Sequence, residues 1–336
     1  MKQYKELFFF LTQQCPNRCK YCYIDYNSSD MSISDIDSYI EEYNPSRIIF
    51  FGGEPLLRLD LIKYTVKKYY GKIKFQVVTS TCANFKEFIE FHKKYPLNEV
   101  QLSWDGYTDS RIDINGNSIA KKVLDNIYYA IGQGITFDIK CVINNHNVSQ
   151  LREIHDTFKK MKPLGANGEI IIAHAEDYTE EFYTELKKNL LYTFDLDKMY
   201  ADNMNKLCAY ISHDNSYCSC DIGKYHTIST SGMYNNCTAM SQLGVYLDDD
   251  KCQSRCTHKD CMKCPYSSIC DGGCRYERYL KYKDKWQENY LPSTCKIMKI
   301  YANTIKQFLQ SLSNEDKNRL LKDIMKYKNW MYKSHT

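Results

Sequence analysis

Three cysteines stand close together in Cys15-Pro-Asn-Arg-Cys19-Lys-Tyr-Cys22. Thiolates at this spacing can wrap one metal centre. A structural zinc site takes four ligands, and no fourth Cys or His stands nearby in sequence. A [4Fe–4S] cluster held by three thiolates keeps one iron open to a substrate or cofactor. A second concentration lies further on, where ten of the 16 Cys fall within residues 218–295. Its parts are Cys218-Ser-Cys220, then Gly232-x4-Cys237, then Cys261-x2-Cys264-x5-Cys270-x3-Cys274, and finally Cys295. The spacings alone permit zinc or iron–sulfur at both places.

The elements that must position these thiols are legible in the first half. Apolar runs at Leu7–Thr12, Arg47–Phe51, Lys74–Thr79, Glu99–Ser103, Thr136–Ile143 and Glu169–Ala173 predict strands. Amphipathic stretches near 33–43, 60–70, 84–94, 118–132 and 148–161 predict the helices between them. Six alternating units imply α/β architecture with a parallel sheet. They are too few for a closed eight-stranded barrel, so an open, partial (β/α)6 barrel is expected, with ligands at the C-terminal strand ends. The Cys15–Cys22 loop follows the first strand, and Gly52-Gly53-Glu54-Pro55 follows the second. Glycines let a backbone approach closely, and a carboxylate or carbonyl accepts from an ammonium. The expected division is a barrel over 1–177 and connecting helices over 178–217. A small C-terminal cysteine-rich domain held by metal follows over 218–298, then helices over 299–336.

Composition narrows the partners. Over 336 residues the net charge is +4, too small to argue for nucleic acid. No run is long and apolar enough to span a membrane. The start, MKQYKELFFFLTQQC, has too short an apolar run for a signal peptide. A cytoplasmic location is therefore expected, and with it metal ligation rather than disulfides.

The motifs taken together resemble the radical SAM superfamily. Tyr21 stands where that family prefers an aromatic before the last Cys, and Gly52-Gly53-Glu54-Pro55 is similar to its GGEP motif. Ser103-Trp-Asp105-Gly, followed by Arg111-Ile-Asp-Ile-Asn-Gly, looks like the S-x-D-G … R-x-D-x-x-G stretch of its peptide-modifying branch. The resemblance implies that Cys15, Cys19 and Cys22 hold an open-site [4Fe–4S] cluster. It implies that S-adenosylmethionine (SAM) is reductively cleaved there to a 5′-deoxyadenosyl radical. Tyr21, Gly52, Gly53, Glu54, Ser103 and Arg111 would then bind SAM. Asp105 is either a turn residue or a catalytic one. Cys82, just past the third strand, is a candidate hydrogen donor, while Cys141 reads as a buried inert thiol.

Residues 218–295 resemble the SPASM domain, which carries two auxiliary [4Fe–4S] clusters. By position the resemblance assigns Cys218, Cys220, Cys237 and Cys274 to the first, and Cys261, Cys264, Cys270 and Cys295 to the second, three clusters in all. Cys252, Cys256 and His258 lie outside the pattern. Relatives of this layout include sulfatase-maturing enzymes and maturases of ribosomally made peptides. The former place a catalytic Asp directly after the Cys of G-x4-C, whereas here Thr238 follows Cys237. The expectation is an oxidoreductase that cross-links a precursor peptide. Formylglycine formation, epimerisation and plain electron carriage are the alternatives. A reductant protein such as flavodoxin or ferredoxin is implied. With the barrel starting by residue 7, a leader peptide is expected to bind the body, the basic tail or a separate leader-binding protein.

Overall fold

The structure, a computed structural model, describes residues 6–24, 26, 30–173, 177–213, 225–228, 234–235, 237–242, 256–270 and 272–335. The six apolar runs form strands β1 (Glu6–Thr12), β2 (Arg47–Gly52), β3 (Lys74–Thr79), β4 (Glu99–Ser103), β5 (Phe137–Ile143) and β6 (Ala166–Ile172). The helices after the first five are α1 (Ile33–Tyr43), α2 (Leu59–Tyr69), α3 (Phe85–Lys94), α4 (Ala120–Gly132) and α5 (Leu151–Met161). Two short strands from the cysteine-rich segment, β7 (Tyr225–Ile228) and β8 (Tyr234–Asn235), join the same sheet. Its order is β6-β5-β4-β3-β2-β1-β7-β8. Strands β1 to β7 run parallel and β8 antiparallel. Parallel neighbours in chain order, joined by helices, make the expected α/β partial barrel.

The sheet exceeds the six strands expected from sequence. Strand β7 lies along β1, with Glu6 opposite Tyr225 and Phe9 opposite Ile228. Without it β1 would be an edge with a row of unpaired backbone groups. Four residues cover that edge, and so short a strand shows no period.

Two compact units result. One comprises 1–142, 160–168 and 220–254; the other comprises 143–159, 169–219 and 255–336. In the first, Leu7, Phe9, Ile48, Phe50, Val77 and Leu102 of the sheet are fully buried. Ile36, Ile62, Val66, Phe88, Ile89, Val123 and Ile127 form the buried stripes of its helices. Helix α1 starts in a capping box: Asp35 N–H donates to Ser32 Oγ at 3.1 Å, and Ser32 N–H donates to Asp35 Oδ2 at 2.8 Å. Arg47 ties the N-terminal strand ends together. It reaches Gln76 Oε1 at 2.7 Å and Glu6 at 3.5 Å, and also pairs with Glu99. This is the face of a barrel that serves stability.

In the second unit, the segment expected to hold connecting helices forms α6 (Glu180–Asn189) and α7 (Ala201–Ser212), with a break between them. Asp195 is the reason. Its carboxylate accepts Asp197 N–H at 2.8 Å and its carbonyl accepts Lys198 N–H at 3.0 Å, a local turn that competes with helix. Helix α7 restarts where Glu169 accepts Ala201 N–H at 2.9 Å and Asp202 N–H at 3.1 Å. The tail forms helices Pro292–Ser311 and Asn314–His335. No described helix is long and apolar enough to cross a membrane.

Candidate active site

The Cys15–Cys22 loop leaves the C-terminal end of β1 and is pinned along 110–114. Arg18 N–H donates to Ile112 O at 2.7 Å, Lys20 N–H to Ser110 O at 3.2 Å, and Ile114 N–H to Pro16 O at 3.2 Å. Cys22 N–H closes back on Cys19 O at 3.0 Å. Burial pushes the Cys15 thiol up to about 12, with Cys19 and Cys22 adding to the shift. Burial likewise raises Cys19 to about 11, opposed by Arg111. Thiols are soft donors, the kind that suits an iron–sulfur cluster. Among the described residues, no three His, Cys, Asp or Glu side chains are grouped closely enough to hold a metal ion.

The glycine pair explains the loop's seat. A Cβ at Gly52 would stand 2.3 Å from Thr12 O, and one at Gly53 would stand 2.3 Å from Gln14 O. In their absence Gly53 N–H donates to Thr12 O at 2.8 Å and Glu54 N–H to Gln14 O at 2.9 Å. The Glu54 side chain turns the other way. Fully buried, it accepts from Thr79 Oγ1 at 2.6 Å, Ser80 N–H at 2.8 Å, Leu56 N–H at 3.1 Å and the Ser80 hydroxyl. Burial pushes its carboxyl up, and these four donors oppose the shift. Glu54 therefore clamps the turn to the end of β3.

Asp105 gathers the expected residues of β4. Tyr21 OH donates to its Oδ2, Val142 N–H to its Oδ1 at 2.8 Å, and Arg111 Nε lies 2.7 Å from Oδ2. The same guanidinium donates from Nη1 to Cys19 Sγ at 3.6 Å. Its charge is held strongly: burial disfavours it, but Asp105, Tyr21 and Cys19 outweigh that. Ser103 ends β4 half-buried, in register with Lys140.

Cys82 lies in the same unit. Its thiol is raised by burial, and the Asn17 amide reaches it. Asn17 Nδ2 also donates to Ser80 Oγ at 2.8 Å, so this buried side chain links the cysteine loop to the end of β3. Thr81 holds φ +64, a costly conformation for a β-branched residue. Its own N–H donates to Thr79 Oγ1 at 2.9 Å, and Asn126 Nδ2 donates to its carbonyl at 3.0 Å and hydroxyl at 3.1 Å. Sequence reasoning overlooked Asn17, Ser80 and Tyr23. Asn17 sits inside the cysteine motif, which was the one available signal.

Tyr23 OH donates to Thr238 Oγ1 at 3.1 Å. This brings the residue after Cys237, at the start of α8 (Thr238–Gln242), to the cysteine loop within one unit. Cys218 and Cys220, and with them Gly232 and Cys252, lie outside the described residues. Cys274 belongs to the second unit, as do Cys261, Cys264, Cys270 and Cys295. There Cys264 N–H donates to Cys261 O at 3.2 Å, and Gly273 N–H to Cys270 O at 3.0 Å. Burial pushes Cys261 up to about 12, with Cys256, Cys270 and Cys264 adding to it. Cys141 is fully buried, and its thiol is pushed well up by that burial.

Residues 9–158 match the radical SAM superfamily. PqqA peptide cyclase of Gluconobacter oxydans is 24% identical over 179 residues, which is 50% of this chain and 48% of that protein. The chain spans about half the length of the curated relatives it matches. Among solved structures, native anSMEcpe with bound AdoMet and Cp18Cys peptide superposes with a TM-score of 0.68 at 18% identity, covering 96% of this chain and 99% of that one. Streptococcus suis SuiB bound to precursor peptide SuiA gives 0.61 at 16% identity, covering 88% of this chain and 76% of that one. At these identities the likeness to both is one of fold.

Proposed function

We propose that the protein, whose residues 9–158 match the radical SAM superfamily, is a peptide maturase. It would use SAM to form an intramolecular thioether or carbon–carbon cross-link in a ribosomally made peptide. The observation that carries the cross-linking reading is the Tyr23–Thr238 contact. It sets the residue after Cys237 beside the cysteine loop, and that residue is a hydroxyl with no base strength. The sulfatase-maturing pattern needs a carboxylate there. That SuiB was crystallised with a precursor peptide supports a peptide substrate.

Cys15, Cys19 and Cys22 would hold the open-site cluster. Arg111, Ser103, Tyr21 and the Gly52–Gly53 backbone would hold SAM. Cys218, Cys220, Cys237 and Cys274 would hold one auxiliary cluster, and Cys261, Cys264, Cys270 and Cys295 a second. When bound, these groups supply a reducing electron, a 5′-deoxyadenosyl radical and a sink for the electron a cross-link leaves over. The chain's own part is to seat the cysteine loop and to fix Arg111 through Asp105. A reductant such as flavodoxin or ferredoxin and a separate leader-binding protein are the proposed partners.

The test is anaerobic turnover of the reconstituted, reduced protein with its precursor peptide. It should release 5′-deoxyadenosine and methionine and lower the peptide mass by about two hydrogens. An unchanged mass, with solvent deuterium at one Cα and loss of turnover in Cys82→Ala, would establish an epimerase instead. A hydrazide-reactive aldehyde would establish formylglycine formation.

A further inference from the structure

Helix Asn314–His335 carries two apolar stripes. The inner one buries Leu320 and Ile324, and beside them Tyr327 OH donates to Ala201 O at 3.3 Å. The outer one displays Leu321, 54% exposed, and Met325, 66% exposed. Four residues apart, these two stand one above the other on a single face. Steps of three and four residues from Asn314 along that face fall on 317, 318, 321, 322, 325, 328 and 329. Lys317, Lys322 and Lys328 occupy it, and no Asp or Glu does. The carboxylates of the helix stand off it. Asp316 accepts the Ser313 hydroxyl at 2.7 Å, and Asp323 lies 3.7 Å from Lys326. Arg319, also off the face, is 2.7 Å from Asp197. Among the described residues, Lys317 and Lys322 form no ion pair.

One apolar stripe is enough to pack a helix on its own domain. A second, rimmed by lysines, has the make-up of an interface, with an apolar centre and a charged border. The charge selects the occupant. A second copy docking through a twofold axis would set this face against itself, lysine against lysine. A helix that lies in a lipid surface sinks its main apolar stripe there, whereas here the stripe of Leu320 and Ile324 is already buried. An acidic amphipathic helix supplies carboxylates to the lysines and an apolar side chain to Leu321 and Met325. We propose that this face docks an acidic amphipathic segment of the precursor peptide. This rests on the peptide-maturase reading. The contact is non-covalent and tethers the substrate to the enzyme, so its loss raises KM and leaves kcat unchanged.

The experiment compares the reconstituted wild type with Leu321→Ser/Met325→Ser and Lys317→Glu/Lys322→Glu variants. All four side chains are exposed, so both variants should melt as wild type does. Fluorescence anisotropy follows a short synthetic helix in which Glu residues flank a Leu stripe. Turnover of the precursor peptide is measured with dithionite as reductant. The synthetic helix should bind wild type, more weakly as salt rises, and about tenfold more weakly to either variant. KM for the precursor should rise about tenfold in both variants with kcat unchanged. Equal binding of a scrambled helix, or an unchanged KM in both variants, would overturn the docking face while wild-type turnover left the maturase reading standing. A wild type that cleaves SAM and modifies no peptide would overturn both. Three other results would also overturn the proposal by giving the face a different occupant. Variants impaired only when flavodoxin replaces dithionite would assign it to the reductant, binding to phosphatidylserine vesicles in place of the helix would assign it to a membrane, and a dimer lost in the variants would assign it to a second copy.

Discussion

Arg111 donates to the Cys19 sulfur across 3.6 Å while its Nε stands 2.7 Å from Asp105. One guanidinium thus joins the cysteine loop to the end of β4. Removing its counter-charge strands a cation that is 12% exposed. Asp105→Asn should cost about 3–5 kcal/mol in urea unfolding, the range for breaking a buried pair. A loss under about 1 kcal/mol would show that water already screens the pair. Arg111→Ala should also weaken SAM binding by about 1.5–3 kcal/mol in equilibrium dialysis.

Gly53→Ala tests the seat of the cysteine loop. The added methyl would stand 2.3 Å from Gln14 O and 2.7 Å from Gln13 O, so backbone must move. A destabilisation of about 1–3 kcal/mol is expected. Reconstituted iron should fall as well, since the displaced residues lead directly into Cys15. Normal iron and normal melting would mean that the turn yields freely.

Glu54→Gln keeps the shape of the side chain and reverses part of its chemistry. The carboxylate accepts from two hydroxyls and two backbone N–H groups. An amide nitrogen would face donors and leave at least one unsatisfied, at about 1–3 kcal/mol. Thermal unfolding at neutral pH measures it; an unchanged Tm would place Glu54 outside the clamp.

His92 supplies a pH dependence. Burial holds its pKa below the usual value of about 6.5, and Nδ1 accepts Leu97 N–H at 3.1 Å. The folded state therefore binds fewer protons than the unfolded chain between the two values. Stability should fall as pH drops from about 6.5 toward the lowered folded value, and level off below it. Comparing urea midpoints of wild type and His92→Asn across this window isolates the contribution. Equal slopes would assign the acid sensitivity to other groups.

The β1–β6 ladder and its helices were legible because each apolar run is long enough to show its period. Strands β7 and β8 were not, since pairing with β1 rather than pattern holds them. The break after α6 depends on the Asp195 side chain taking backbone donors that a helix would use. The Cys15, Cys19 and Cys22 motif announced itself by spacing. Asn17 and Tyr23 did not, because neutral polar residues gain meaning only from partners such as Ser80 and Thr238, far away in the chain.

The pairing of β1 with β7 orders events during synthesis. Strands β1 to β6 form on short crossovers and can assemble as the ribosome emits them. The outer edge of β1 must wait until Ile228 has emerged, because among the described residues β7 is the strand that pairs with it on that side. Until then the nascent chain shows an apolar strand edge that invites pairing with another molecule. Truncation before residue 225 should therefore yield an aggregating product, and slow translation of the segment ahead of β7 should lengthen the need for a chaperone.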